Sequence, residues 1–254
     1  MPDTLALIHQ SDTLLVLDKP AGLLCVPGRG ADKQDCLSAR VQARWPDARV
    51  VHRLDMATSG LVLMARGAAM QRALSQAFAL RQIDKRYEAI VHGVLDDDRQ
   101  WHEIDAPIAP DWPRRPLRIV DAAGQPSRTR WRVLRPLPEH GATHVLLVPV
   151  TGRTHQLRVH LAHIGHPIVG DALYEGDADR VENIASSMAN TQGIHHIHRV
   201  HGTHDIAVQP YSHAPRLLLH ASELALAHPL NGGALRFVSP VPFIPAGVQT
   251  PQNR

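Results

Sequence analysis

Three short segments carry the residue types that chemistry on a ligand would need. The first is His52-Arg53-Leu54-Asp55-Met56-Ala57-Thr58-Ser59-Gly60, dense in polar groups and set between two apolar stretches. A segment that enters from one strand and leaves by another is where scaffolds place reactive side chains. Asp55 stands there beside an arginine, a histidine, hydroxyl residues and a glycine. Taken alone it reads more simply as a turn whose carboxylate caps backbone N–H groups. The second segment is Thr151-Gly152-Arg153-Thr154-His155-Gln156-Leu157-Arg158-Val159-His160. Gly152 allows a tight turn with a helix after it, so backbone N–H groups and Arg153 would converge on an anion, either a phosphate or a carboxylate such as Asp55. An ordinary helix start with solvent-facing arginines accounts for it as well. The third is Lys85-Arg86-Tyr87-Glu88-Ala89, where Tyr87 is one of only three tyrosines in the chain. Core packing is the commoner fate of an aromatic on a strand.

These segments need elements to hold them. Residues 13–18 read as a strand ended by Lys19-Pro20-Ala21-Gly22, and the Gly- and Pro-rich stretch Val26–Gly30 as loop. Asp35 can cap a helix running to Trp45, which Pro46 stops. Gly60 opens a strand through Ala65. Met70, Leu74, Ala77 and Phe78 fall at helical spacing within 68–82. Tyr87, Ala89 and Val91 share one face of a strand over 85–91. Further strands are expected around 101–105, 126–134, 143–150, 217–227 and 234–238. Thr154 can cap a helix from His155 to Ile164, ended by Gly165. Strands outnumber helices and come in runs, which predicts an α+β fold with a mixed sheet rather than a regular βαβ series. No linker divides the chain, so a single domain is expected. The stretch 175–214 is polar and weakly periodic and reads as an insertion.

The 254 residues suffice for one large domain or two small ones. No apolar run approaches the roughly 18 residues of a transmembrane helix, and the start lacks the basic and apolar parts of a signal peptide. A cytoplasmic location away from membranes follows as the expectation. Cys25 and Cys36 have no CxxC partner and read as plain reduced residues. Of the 27 basic residues only Lys19, Lys33 and Lys85 are lysine. Arginine pairs bidentately with phosphate and stacks on bases, so the bias permits a nucleic-acid partner, although a GC-rich genome explains it more simply.

Together the three segments resemble the RluA-type pseudouridine synthases. The family's histidine-arginine-leucine-aspartate loop followed by threonine-serine-glycine is matched by His52-Arg53-Leu54-Asp55 and Thr58-Ser59-Gly60. Its lysine-x-tyrosine-x-alanine strand is matched by Lys85, Tyr87 and Ala89. Its later arginine- and histidine-bearing segment is matched by Gly152, Arg153, His155, Gln156, Leu157 and Arg158. Lys19-Pro20-Ala21-Gly22-Leu23, Gly165-His166-Pro167-Ile168, Gly170-Asp171 and Leu219-His220-Ala221 match too. The ordered matches span residues 14–243 and leave only the stretch from about Glu175 to Ala214 without a counterpart. Val26–Arg29 and Asp111-Trp112-Pro113-x-Arg115-Pro116 resemble the family's dual-specificity subtype.

The resemblance implies a mostly antiparallel mixed central sheet flanked by helices and loops, with a central active-site cleft. It implies isomerisation of uridine to pseudouridine in structured RNA, with 23S rRNA and the tRNA anticodon loop as partners. A monomer is expected, without an N-terminal S4-type RNA-binding domain. Asp55 would be the catalytic carboxylate, Arg153 would pair with it and keep it ionised and oriented, and Tyr87 would stack on the detached base. The target uridine must leave its stack to reach such a pocket. His52 and Arg53 would fill the vacated space or grip the RNA backbone, and Arg158 would contact RNA. The reaction has no redox change or group donor, so neither cofactor nor metal is expected. His195, His196, His198, His201, His204 and His213 invite a zinc reading by composition, but their spacing fits no defined ligand motif.

Overall fold

The computed structural model describes residues 5–175 and 214–244. The His-rich stretch, with all six of those histidines, lies outside the described residues. Its flanks meet, since the Leu218 N–H donates to the Val169 carbonyl at 2.9 Å and Gly170 lies against the Arg216 carbonyl.

The strands are β1 (Ala6–Gln10), β2 (Leu14–Lys19), β3 (Ala48–Val50), β4 (Ser59–Arg66), β5 (Ile83–His92), β6 (His102–Asp105), β7 (Ile108–Pro110), β8 (Arg118–Val120), β9 (Arg128–Leu137), β10 (Ala142–Pro149), β11 (Leu219–Ala227) and β12 (Ala234–Val238). The helices are α1 (Leu37–Arg44), α2 (Gly67–Ala79) and α3 (Gln156–His163). One large sheet runs β1-β2-β4-β11-β5-β10-β9-β6, with β3 added to β4 and β12 to β11. Its pairings are antiparallel except for β4 with β11, which is parallel. The expected α+β class and mixed, mostly antiparallel sheet are therefore observed. The strands β7 and β8 form a separate hairpin.

Consecutive apolar residues on the central strands bury both faces of the sheet. On β2 and β4, Leu14, Val16, Leu61 and Leu63 pack against Met70, Leu74 and Ala77 of α2. Leu15, Leu17, Val62 and Met64 point the other way, onto Leu37 and Val41 of α1. Ala89, Val91, Val145 and Leu147 pack with Leu157 and Leu161 of α3. Leu219 and Ala221, two apart on β11, belong to the α3 and α1 clusters respectively. Side chains two apart on a strand share a face, so α1 and α3 lie on one face and leave a cleft between them. Its floor is the seam of β4, β11 and β5. Gly60 allows that seam to close: it has φ 113°, and a Cβ there would sit 2.4 Å from the Ala221 carbonyl oxygen.

Two expected caps differ. Cys36, not Asp35, caps α1, its sulfur accepting from the Ala39 N–H at 3.4 Å. Asp35 instead takes both prongs of Arg40 at 2.7 Å. Helix α3 begins after His155, which adopts the left-handed conformation with φ 57°, so Thr154 does not cap it. The turn before the helix is held instead by Gln156, whose Oε1 accepts from the Arg153 N–H at 3.0 Å and the Thr151 hydroxyl at 2.7 Å.

Candidate active site

Asp55 sits at the apex of the loop between β3 and β4, and this loop is clamped from three sides. At its start, His52 Nε2 accepts the Leu63 N–H at 2.9 Å while the ring stacks on Phe78 at 4.6 Å. In its middle, Leu54 inserts into the α1 cluster. Beyond Asp55, the fully buried Lys19 ammonium donates to the carbonyls of Pro20, Leu23 and Met56 at 2.8, 2.8 and 3.1 Å. Burial pushes the Lys19 pKa down to about 8, against the opposing pull of Cys25 and Asp55 nearby. Three carbonyl acceptors satisfy all three ammonium donors. The apex itself closes as a turn, Thr58 N–H to Asp55 carbonyl at 3.1 Å.

The facing wall comes from α3 and the turn before it. Arg158 lies in the first turn of the helix, is only 5% exposed, and grips Asp171 through Nε at 2.7 Å and Nη2 at 2.6 Å. Its Nη1 stands 3.6 Å from Asp55 Oδ2. Burial works against the Arg158 charge, but the hydrogen bonds and charge of Asp171, with Asp55 adding, more than offset it and raise its pKa. His155 Nε2 lies 3.9 Å from the same Asp55 oxygen. Its Nδ1 meets the Tyr174 hydroxyl at 2.9 Å, and that hydroxyl also accepts the Arg118 N–H at 3.0 Å. Burial holds the His155 pKa down, with Asp55 opposing, so the ring is neutral at neutral pH.

Tyr87 rises from β5, where its backbone neighbours are Leu147 of β10 and Ala221 of β11. Its ring touches both the α1 and the α3 clusters, which places it on the cleft floor. Burial raises the phenol pKa and the nearby Asp55 carboxylate raises it further, so Tyr87 remains protonated. The cleft has a volume of about 940 Å³ and is lined by Asp55, Tyr87, Lys85, Arg53, His52 and residues 151–158, among others.

The structure thus brings Asp55 and Tyr87 together as expected, but it reassigns the arginines. Arg153 does not pair with Asp55. It precedes α3, points along the cleft rim, and its Nε reaches the Pro126 carbonyl at 3.4 Å. Arg158, expected to contact RNA, is the buried partner of Asp55 and Asp171. His52 is not free to grip RNA either. Its Nε2 is occupied by a backbone donor, and burial, reinforced by Lys85, holds its pKa down to about 3. Of the three residues expected to contact RNA, His52, Arg53 and Arg158, Arg53 is the exposed one. The sequence reading gave no role to His155, Asp171, Tyr174 or Lys19. His155, Asp171 and Lys19 lie in matched segments, which was the available signal. Tyr174 carried none.

The cleft between α1 and α3 thus gathers Asp55, Tyr87 and Arg158 in one site. Residues 13–163 match the family described as RNA pseudouridylate synthase, and the chain belongs to it. It is 37% identical over 240 residues to the dual-specificity RNA pseudouridine synthase RluA of Escherichia coli (strain K12), covering 94% of each chain. It is 38% identical over 239 residues to the protein of the same name in Vibrio cholerae, covering 94% of this chain and 83% of that one. Among solved structures, human RNA Pseudouridylate Synthase Domain Containing 1 superposes with a TM-score of 0.68 at 25% identity, over 96% of this chain and 86% of that one. Human RNA Pseudouridylate Synthase Domain Containing 4, at 24% identity and a TM-score of 0.65, shares the fold over 94% of this chain and 89% of that one.

Proposed function

We propose that this synthase acts on both 23S rRNA and the tRNA anticodon loop, with Asp55 as the catalytic carboxylate. The observation that carries the chemistry is the meeting of Asp55, Arg158 and Tyr87 in one cleft. The substrate pair is supported by the 37% identity, over 94% of both chains, to a relative named for dual specificity.

Pseudouridine formation breaks the N1–C1′ bond of uridine and rejoins C1′ to C5 of the turned base. A carboxylate is needed at C1′, and Asp55 serves either as nucleophile or by stabilising an oxocarbenium-like sugar and taking a sugar proton. Arg158, locked by Asp171, orients the carboxylate and supplies a preset positive charge. The Tyr87 ring offers a face on which the loose base can rotate, and its hydroxyl can relay the C5 proton, the oxygen taking that proton as the hydroxyl's own proton passes on toward N1 of the base. Arg53 and Arg153, on the rim, meet phosphates without reading sequence. The uridine reaches the cleft by flipping out, which costs least in a loop where stacking is already incomplete. The enzyme acts as a monomer in the cytoplasm.

The test is to map pseudouridines in 23S rRNA and tRNA from cells with and without this protein, and to assay the purified chain on both transcripts. Loss of one site in each RNA, restored by the purified protein, is the expected result. Release of free uracil instead of pseudouridine would make it an N-glycosylase. Loss at an rRNA site alone would remove the dual specificity.

A further inference from the structure

The hairpin β7–β8 carries an arrangement that the chemistry at Asp55 does not use. Trp112 is 66% exposed, more than any other large apolar side chain among the described residues. The Arg115 guanidinium lies over its ring at 3.7 Å from the centroid. The loop that presents the pair is braced. The buried Asp111 carboxylate takes Arg114 through Nε at 2.9 Å and Nη2 at 2.8 Å. Backbone bonds run from Asp111 N–H to the Leu117 carbonyl at 3.0 Å, from Arg114 N–H to the Asp111 carbonyl at 3.2 Å, and from Leu117 N–H to the Arg114 carbonyl at 3.0 Å. Leu117 then packs against the cluster of Ile108, Val159 and Tyr174.

This platform is tied to the active site. Pro110 and Arg118 are paired at the hairpin end of the loop. The Arg118 N–H donates to Tyr174, Tyr174 meets His155, and His155 stands 3.9 Å from Asp55. The loop that carries Trp112 is thus joined to the wall of the cleft that faces Asp55.

We propose that Trp112 and Arg115 form a stacking platform for a second, unpaired base of the RNA, next to the flipped uridine. One ring face is held by Arg115, and the rest is open to solvent. Aromatic rings backed by arginine bind bases through their faces and tolerate any sequence. A protein-docking or membrane patch would need contiguous apolar surface. Here Trp112 carries Arg115 over its ring in a loop where Arg114 is exposed as well, a pattern that suits a base and its phosphates. The proposal rests on the reading that the substrate is an RNA loop.

The test measures binding of two probes at fixed salt: a transcribed tRNA anticodon stem-loop, and a fully paired duplex with the same stem. Trp112→Ala should weaken stem-loop binding about 10-fold, Trp112→Phe should retain most of it, and duplex binding should be unchanged in both. Unchanged thermal unfolding would show that the variants fold. Stem-loop binding by Trp112→Ala at the wild-type level, or an equal loss on both probes, would overturn the platform. Wild-type pseudouridine formation on the same stem-loop is read separately. Its absence on every RNA would remove the substrate reading, while the binding comparison would still decide the platform.

Discussion

Two turns each present one carboxylate to Arg158, and they do so in opposite ways. The turn at Gly170-Asp171 buries Asp171 entirely and takes both guanidinium prongs at 2.7 and 2.6 Å. The loop between β3 and β4 leaves the Asp55 side chain 29% exposed and 3.6 Å from the same guanidinium. The first contact is a buried bidentate pair, and the second faces a cleft that a nucleotide can enter. Asp171 thus sets where Arg158 points, and Arg158 in turn gives Asp55 a charge that needs no rearrangement when the sugar reacts. The carboxylate that substrate cannot reach positions the one that it can.

Breaking this arrangement at Arg158 should cost both stability and turnover. Arg158→Ala leaves the buried Asp171 carboxylate without its ion pair, holding only the Leu173 N–H at 3.0 Å, which costs about 3–5 kcal/mol. We expect the unfolding midpoint to drop by about 10 °C, and pseudouridine formation at saturating RNA to fall about 10²–10³-fold. A variant with wild-type turnover would remove Arg158 from the account. Asp171→Asn keeps the volume but loses the charge, and should lower turnover about 10–100-fold with RNA affinity intact. Weakened RNA binding as the main defect would instead make Asp171 an RNA contact. Tyr87→Phe retains the ring, so binding should hold while the rate falls about 10²-fold if the hydroxyl handles the C5 proton. An unchanged rate would leave the ring as the only contributor. Arg153→Ala should do least. Its removal should change stability by less than about 0.5 kcal/mol and reduce the salt dependence of RNA binding by about one phosphate contact. Turnover at saturating RNA should stay at the wild-type level. A fall in turnover as large as that of Arg158→Ala would restore Arg153 as the partner of Asp55.

The contrast also marks what the sequence could express. Apolar runs along β2, β4 and β10 and the alternation along β5 are local, so those strands were readable, as was Asp55 between β3 and β4. The two arginines were not separable, because the distinction depends on where α3 begins. A left-handed His155 and the side chain of Gln156 move the helix start past Thr154, and this puts Arg153 outside and Arg158 inside. The pairing of Arg158 with Asp171 spans 13 residues and exists only once the Gly170 turn is packed. His52 looked like a residue for RNA because it adjoins Asp55, yet its partner is a backbone donor on β4 that no local pattern announces. The hairpin β7–β8 escaped notice because each strand is only three residues long.

The most direct test is single-turnover pseudouridine formation by Asp55→Asn, with RNA affinity measured on the same preparation. The substitution keeps the shape of the side chain and removes its charge. We predict wild-type RNA binding with no detectable pseudouridine, a loss of roughly 10³-fold or more. Appreciable turnover by Asp55→Asn would contradict the assignment of Asp55, and with it the role given to Arg158 and Asp171.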